Sequence, residues 1–316
     1  MRKALLIGID DYSFGALNGC IRDAEKLSML LSRDFDETLN FTCKKLLSSE
    51  ELIDILTLKE AIVELFENKT EVALFYFSGH GSEKDKYGNA CLVTQDATAA
   101  TSGVDLDFLL KTANDSPATE VVIILDCCFS GVLGNPSFLD KMSYMREGVS
   151  ILTSSHETQV SLAGLDGSVF TTMVCNALDG GAADTTGLVS VSSIYGYADK
   201  LLGPWDQRPI FKCNLSKMVP LRRCKPIIPL NTLRKLRVYF SNPDDFYQLD
   251  PSFEPDAEPR GHDNEKIFED LQKLNRGSLL HPVDAEHMYY AAMNSKSCIL
   301  TPLGKYYWQL AKEGKL

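Results

Sequence analysis

The chain has 316 residues and a net charge of −11, from 32 lysines and arginines against 43 aspartates and glutamates. Hydrophobic residues make up 44% and charged residues 24%, enough apolar surface for a packed core, which excludes a chain disordered throughout. The longest apolar runs, Ala4–Ile9 and Val72–Phe77, are six residues each, far short of the roughly 18 that span a bilayer. Asp10 and Asp11 stop the first run before it makes a signal-peptide core, so a cytoplasmic protein with no membrane partner is expected.

In chain order, Lys3–Asp10 is a short apolar run closed by acids and reads as a buried strand. Gly19–Leu31 carries helical spacing at Ile21, Ala24, Leu27 and Leu31. Phe41–Leu47 reads as a second strand. Leu58–Phe66 is helical, with Thr57 and Glu60 spaced as a capping box. Glu71–Phe77 and Glu120–Leu125 give the clearest strand signals, and Val149–Thr153 gives another. Val169–Leu178 and Val191–Leu202 read as helices, and Pro209–Cys213 as a last strand. Strands alternating with helices predict an α/β fold whose mostly parallel sheet is covered by helices on both faces.

From about Arg222 the texture changes. Pro226, Pro229, Pro243, Pro251, Pro255 and Pro259 punctuate the chain as far as Arg260, which reads as a linker or irregular segment over 221–260. Beyond it, helices are expected at Asn264–Leu274, Asp284–Met293 and Leu303–Lys312, with a short strand at Ser297–Leu300. Helix, helix, short strand pair and helix is a winged-helix-like order for residues 261–316. Residues 221–316 hold 14 basic and 13 acidic residues, so residues 1–220 hold 32 − 14 = 18 basic and 43 − 13 = 30 acidic, a net charge of −12. An acidic body argues against a nucleic-acid substrate and suits a cationic one, although acidity is also a common route to solubility. The nine cysteines contain no C-x-x-C pair, so neither a zinc knuckle nor a redox motif is indicated.

Two strand ends carry reactive groups. Phe75-Tyr76-Phe77-Ser78 runs into Gly79-His80-Gly81, and Ile124-Leu125-Asp126 runs into Cys127-Cys128-Phe129-Ser130-Gly131. Ligands in open α/β sheets sit at the carboxyl ends of the strands. Two adjacent parallel strands would therefore set His80 beside a cysteine, as a Cys–His dyad requires. Glycines flanking the histidine let the backbone curl and present N–H donors to an oxyanion. Taken singly, a strand-end histidine is commonly a satisfied polar residue and a cysteine pair is commonly core packing. The pairing of the two motifs tips the balance toward chemistry.

Ser78-Gly79-His80-Gly81 together with Asp126-Cys127-Cys128-Phe129-Ser130-Gly131 resembles the caspase-like cysteine peptidases, nearest to the metacaspase and prokaryotic-caspase branch. Further segments are similar to that family: Leu6-Ile7-Gly8-Ile9, Leu17 to Ala24, Ser154-Ser155, Gly167 to Thr171 and Gln207-Arg208-Pro209. The resemblance covers about residues 1–220. Phe129 departs from the histidine that often follows the nucleophile. The resemblance implies a caspase-type sandwich over 1–220; the order of elements beyond it makes a small C-terminal winged-helix-like α+β domain the expectation for 261–316. It implies His80 and Cys128 as the dyad and the N–H groups of Gly81 and Cys128 as oxyanion donors. It also implies a specificity pocket of Cys20, Asp23, Ser78 and Asp126. Two carboxylates in one pocket suit Arg or Lys before the scissile bond of a polypeptide and repel an acidic side chain.

No cofactor is called for. Calcium, which many metacaspases need, is unsupported: Asp85, Asp96, Asp105 and Asp107 are acidic, but Asn135, seven residues after Cys128, ligates only as a neutral carbonyl. Lys141 and Arg146, in a stretch rich in turn residues, are expected sites of activating cleavage by the enzyme itself or an upstream peptidase. The resemblance further suggests a prokaryotic defence or cell-death response. Two alternatives remain open from sequence: a catalytically silent scaffold, and a regulator acting through the C-terminal part. Against nucleic acid, Asp284–Ser295 has two acids and no Lys or Arg, so an interaction or inhibitory module is the expectation there.

Overall fold

The computed structural model describes residues 1–82, 90–98, 103–127, 145–154, 167–202, 208–255 and 263–316. They form two compact units, 1–183 with 188–225, and 184–187 with 226–316.

The first unit contains β1 (Arg2–Gly8), α1 (Cys20–Ser32), β2 (Thr42–Leu47), α2 (Ile55–Phe66), β3 (Val72–Ser78), β4 (Cys91–Val93), β5 (Gly103–Asp105) and α3 (Leu106–Asp115). It continues with β6 (Glu120–Asp126), β7 (Val149–Thr153), α4 (Val169–Asn176), β8 (Leu188–Val189), α5 (Val191–Leu201), β9 (Ile210–Asn214) and β10 (Arg222–Arg223). Six strands make one sheet in the order β2-β1-β3-β6-β7-β9, and every pair is parallel except β7–β9.

Strand alternation explains the layers. Leu5 and Ile7 of β1 face a core completed by Leu58, Ile62 and Leu65 of α2 and Leu109 of α3. Ala4 and Leu6 face the opposite core, with Leu27 and Leu31 of α1, Phe170 of α4 and Ile194 of α5. All seven residues of β3 are buried, so Phe75 and Tyr76 anchor opposite faces from adjacent positions. A fully buried aromatic or aliphatic side chain there stabilises the fold by about 1.5–3 kcal/mol.

Two local expectations need correction. The cap of α2 is Asp54, whose carboxylate accepts from the Thr57 N–H at 2.7 Å, so the helix begins a turn before the Thr57–Glu60 box. The short antiparallel β4–β5 pair and α3 are additions to the elements expected from sequence, although Leu106, Leu109, Leu110 and Ala113 are spaced as one buried helical face. Among the described residues no helix is long and apolar enough to cross a membrane.

The second unit holds α6 (Leu230–Arg234), α7 (Leu236–Tyr239), β11 (Tyr247–Gln248), α8 (Asp263–Arg276), β12 (Leu280–Val283), α9 (Met288–Met293), β13 (Ser297–Leu300) and α10 (Pro302–Lys312). Its antiparallel sheet runs β11-β13-β12. The proline-punctuated stretch is irregular in path but contributes Ile228, Leu233, Leu236, Phe240, Leu249 and Phe253 to the core, where Trp308 donates to the Phe240 carbonyl at 2.7 Å. The order helix, helix, strand pair, helix is not what forms, because β12 separates α8 from α9. Pro282 hides β12 in the sequence, and the strand accommodates it by lying at the sheet edge. Buried Asp270 accepts from Lys235 Nζ at 2.6 Å, Tyr239 Oη at 2.8 Å and Thr232 Oγ1 at 3.0 Å. Burial opposes its charge, but these donors prevail and hold the carboxyl below its ordinary range.

Candidate active site

β3 and β6 are neighbours, and their last paired residues are Ser78 and Asp126. The chain leaves β3 through Gly79, where a Cβ would stand 2.5 Å from the Tyr12 hydroxyl and about 3.0 Å from the Phe77 ring. Only glycine fits beneath Tyr12. That tyrosine donates to the Val93 carbonyl at 3.1 Å and accepts from the His80 N–H at 3.1 Å, fixing the turn from both sides.

The half-buried His80 imidazole lies 4.7 Å from the Tyr12 ring and 5.8 Å from the Phe14 ring. Its Nε2 is 2.7 Å from the Gly15 carbonyl oxygen. A carbonyl only accepts, so this contact places the proton on Nε2 and leaves Nδ1 as the basic nitrogen. Beyond His80, hydrogen bonds run from Val93 N–H to the His80 carbonyl and from Ser82 N–H to the Cys91 carbonyl, each 3.0 Å. They pass on either side of the Gly81–Leu92 bridge, so this ladder does not consume the Gly81 N–H. Cys128 lies outside the described residues. Cys127, the residue before it, is buried in the core under α2 and α3.

Cys20, Asp23, Ser78 and Asp126 are brought together at the same end of the sheet. The Asp10 carboxylate accepts from the N–H groups of Cys20 at 2.9 Å and Ile21 at 3.3 Å, tying the start of α1 to the end of β1. Burial pushes the Cys20 thiol up, opposed by a hydrogen bond from Ser78. Asp23 is 2% exposed and accepts from the Ser168 N–H at 2.9 Å. Burial pushes its carboxyl up to about 7; the Ser168 N–H opposes the rise and the nearby Asp126 charge adds to it. Gly167 permits the close approach: its φ is +130°, and a Cβ would meet Asp23 Oδ1 at 2.4 Å. Asp126 Oδ2 accepts from Thr171 Oγ1 at 2.6 Å. Burial raises this carboxyl too, against hydrogen bonds from the hydroxyls of Ser168 and Thr171.

Sequence reasoning assigned no role to Tyr12, Gly15, Ser168, Thr171 or Tyr76. Ser168 and Thr171 lay within a segment already similar to a known family, the only signal that pointed to them. Lys141 lies outside the described residues. Arg146 is half-buried: its backbone N–H donates to Asn114 Oδ1 at 3.0 Å and its guanidinium to the Ala118 carbonyl at 2.8 Å. Among the acids weighed for calcium, Asp96 accepts from the Ile55 N–H at 3.2 Å and Thr94 Oγ1 at 2.6 Å, while Asp85 and Asn135 lie outside the described residues. Among the described residues no three His, Cys, Asp or Glu side chains converge to hold a metal ion.

Residues 1–220 match the caspase-domain family of peptidases. A protein of Geobacter sulfurreducens, GSU0716, superposes with a TM-score of 0.50 at 17% identity, over 72% of this chain and 98% of that one, and shares the fold. The structure described as pro-sf-caspase-1 gives a TM-score of 0.45 at 15% identity, over 69% of this chain and 94% of that one. No curated protein sequence matches. With more than two thirds of its length matched, the chain belongs to the caspase-domain family of cysteine peptidases.

Proposed function

We propose that the chain is a working cysteine endopeptidase that cuts polypeptides after Arg or Lys, with His80 and Cys128 as its dyad. One observation carries this reading: adjacent parallel strands pair Ser78 with Asp126, and His80 and Cys128 each follow two residues beyond those matched positions. Cys128 enters the scheme by its sequence position alone. His80 Nδ1 takes the thiol proton, its orientation held through Nε2 on the Gly15 carbonyl. The Cys128 sulfur attacks the scissile carbonyl, and the oxyanion is held by the N–H groups of Gly81 and Cys128. The carbon–nitrogen bond breaks as His80 gives its proton to the leaving amine, and water then hydrolyses the thioester.

Asp23 and Asp126 select the residue before the cut. A bound guanidinium favours their ionised forms, whereas a substrate carboxylate meets two acids in a partly desolvated pocket. Catalysis belongs to residues 1–220 in this reading, and the C-terminal unit is an interaction or regulatory module. A role in a prokaryotic defence or cell-death response is what the family resemblance suggests.

A positional-scanning peptide library on the purified protein tests the reading. Cleavage should follow Arg or Lys, and Cys128→Ala or His80→Ala should lower it at least about a thousandfold without unfolding the protein. Preference for an Asp peptide over its Arg counterpart would overturn it. Self-processing is expected after Lys141 in preference to Arg146, whose side chain and N–H are tied to Ala118 and Asn114. Intact mass spectrometry of wild type against Cys128→Ala distinguishes the two sites.

A further inference from the structure

The pocket carboxylate Asp126 is gripped from behind. Thr171, in the first turn of α4, donates to Asp126 Oδ2 at 2.6 Å. The same hydroxyl oxygen lies 2.7 Å from the Tyr76 phenol. Tyr76 and Thr171 are both 0% exposed, so neither has water as an alternative partner. A threonine hydroxyl has one proton to give. With Asp126 ionised that proton goes to Oδ2, which fixes the polarity of the other bond: Tyr76 donates to Thr171. The donors thus run Tyr76 to Thr171 to Asp126, from inside the sheet to its rim.

We propose that Thr171, aimed by Tyr76, is the positioning residue that keeps Asp126 a charged acceptor for the basic side chain before the scissile bond. This rests on the reading of the pocket given above and adds two residues to it that do not touch substrate. The start of α4 assists. Its N-cap Ser168 bonds Asp23 through its N–H and Asp126 through its hydroxyl, and the helix N-terminus favours negative charge. A carboxylate with its back oxygen committed to Thr171 presents the other to a guanidinium without reorganising.

Steady-state kinetics on the full chain test this with two peptides of one sequence, carrying either Arg or uncharged citrulline before the scissile bond. Wild type should favour Arg. Thr171→Val should raise KM for the Arg peptide about tenfold, with a much smaller change in kcat, and leave the citrulline peptide nearly unaffected. The acidic limb of its pH profile should move up by about one pH unit. Thr171→Ser should restore the Arg preference, and Tyr76→Phe should show the same shifts at about threefold. A wild type that does not distinguish Arg from citrulline defeats the pocket reading itself. If wild type distinguishes them, equal losses for both peptides in Thr171→Val or Tyr76→Phe, or an unmoved pH profile, overturn the positioning role. Should Thr171→Val fail to fold, the serine and phenylalanine variants decide alone.

Discussion

Two buried carboxylate sites, one in each unit, face the same electrostatic problem and resolve it differently. Asp270 is supplied with a cation, Lys235 at 2.6 Å, and two hydroxyls, and its carboxyl is held below the ordinary range. Asp23 and Asp126 have neutral hydrogen-bond donors, an amide and hydroxyls; the charges of Lys26 and Arg22 offset burial at Asp23 only in part, and both carboxyls are pushed up. The first arrangement is complete within the fold. The second keeps two acids partly desolvated with their electrostatic demand unmet, which is what a site for an incoming cation requires. A buried acid whose partners are neutral is a better pointer to binding than a buried acid in a salt bridge.

That contrast is broken most directly at the pocket. Asp126→Asn and Asp23→Asn should each lower kcat/KM for an Arg peptide by roughly a hundredfold or more, the scale of an uncompensated buried charge, with no loss of stability at neutral pH, where burial works against each charge. Asp270→Ala should do the reverse. It strands Lys235, Tyr239 and Thr232, and should cost about 2–3 kcal/mol of stability by denaturant unfolding while Arg preference is kept. A pocket variant that unfolds the protein without altering selectivity would erase the distinction.

A smaller effect separates the sites by pH. Burial pushes the Asp23 carboxyl up to about 7 from its ordinary 3.8, so between these values the folded chain binds more protons than the unfolded one. Stability contributed at Asp23 therefore falls as pH rises from about 4 to 7, by on the order of a few kcal/mol. Asp270 has the opposite sign: its folded pKa is depressed, so its contribution is present above the unfolded value and lost on acidification below about 4. Urea titrations from pH 3 to 8 on wild type, Asp23→Asn and Asp270→Asn should show the first slope vanish in one variant and the second in the other.

The parts of this architecture legible in sequence were those written in residue type. Val72–Phe77 and Val121–Leu125 announced central strands because strands buried on both faces are continuously apolar. The two strand-end motifs drew attention to one end of the sheet because histidine and cysteine in glycine-rich turns are unusual together, and β3 and β6, which carry them, are neighbours there. The grip on His80 was invisible, since its acceptor is the backbone carbonyl of Gly15, and a carbonyl leaves no mark on residue identity. The Tyr76–Thr171–Asp126 chain was equally hidden, because its members are 95 and 45 positions apart and each is unremarkable alone. At α2 the Thr57–Glu60 spacing pointed to a cap one turn too late, because Asp54 caps the helix and Thr57 and Glu60 lie inside it. In the C-terminal unit the prolines hid a core of widely spaced aromatic residues, and Pro282 hid a strand.

The pairing of β6 with β7 bears on what a cut between them would do. Residues 128–144 connect two strands that pair in parallel from Val121–Val149 to Leu125–Thr153. One core joins Leu6, Leu74, Val122 and Ile124 from before that connection to Leu152, Phe170 and Val174 from after it. Asp23 with Ser168, and Tyr76 and Asp126 with Thr171, cross the same divide. A cut in the connection would thus leave two fragments holding each other through the middle of a sheet, an interface as apolar as a domain interior. The N-terminal fragment would carry the proposed dyad and all four proposed pocket residues, and the other fragment their supports Ser168 and Thr171, so the cut species would behave as an obligate heterodimer in which one chain holds the pocket carboxylates of the other in place.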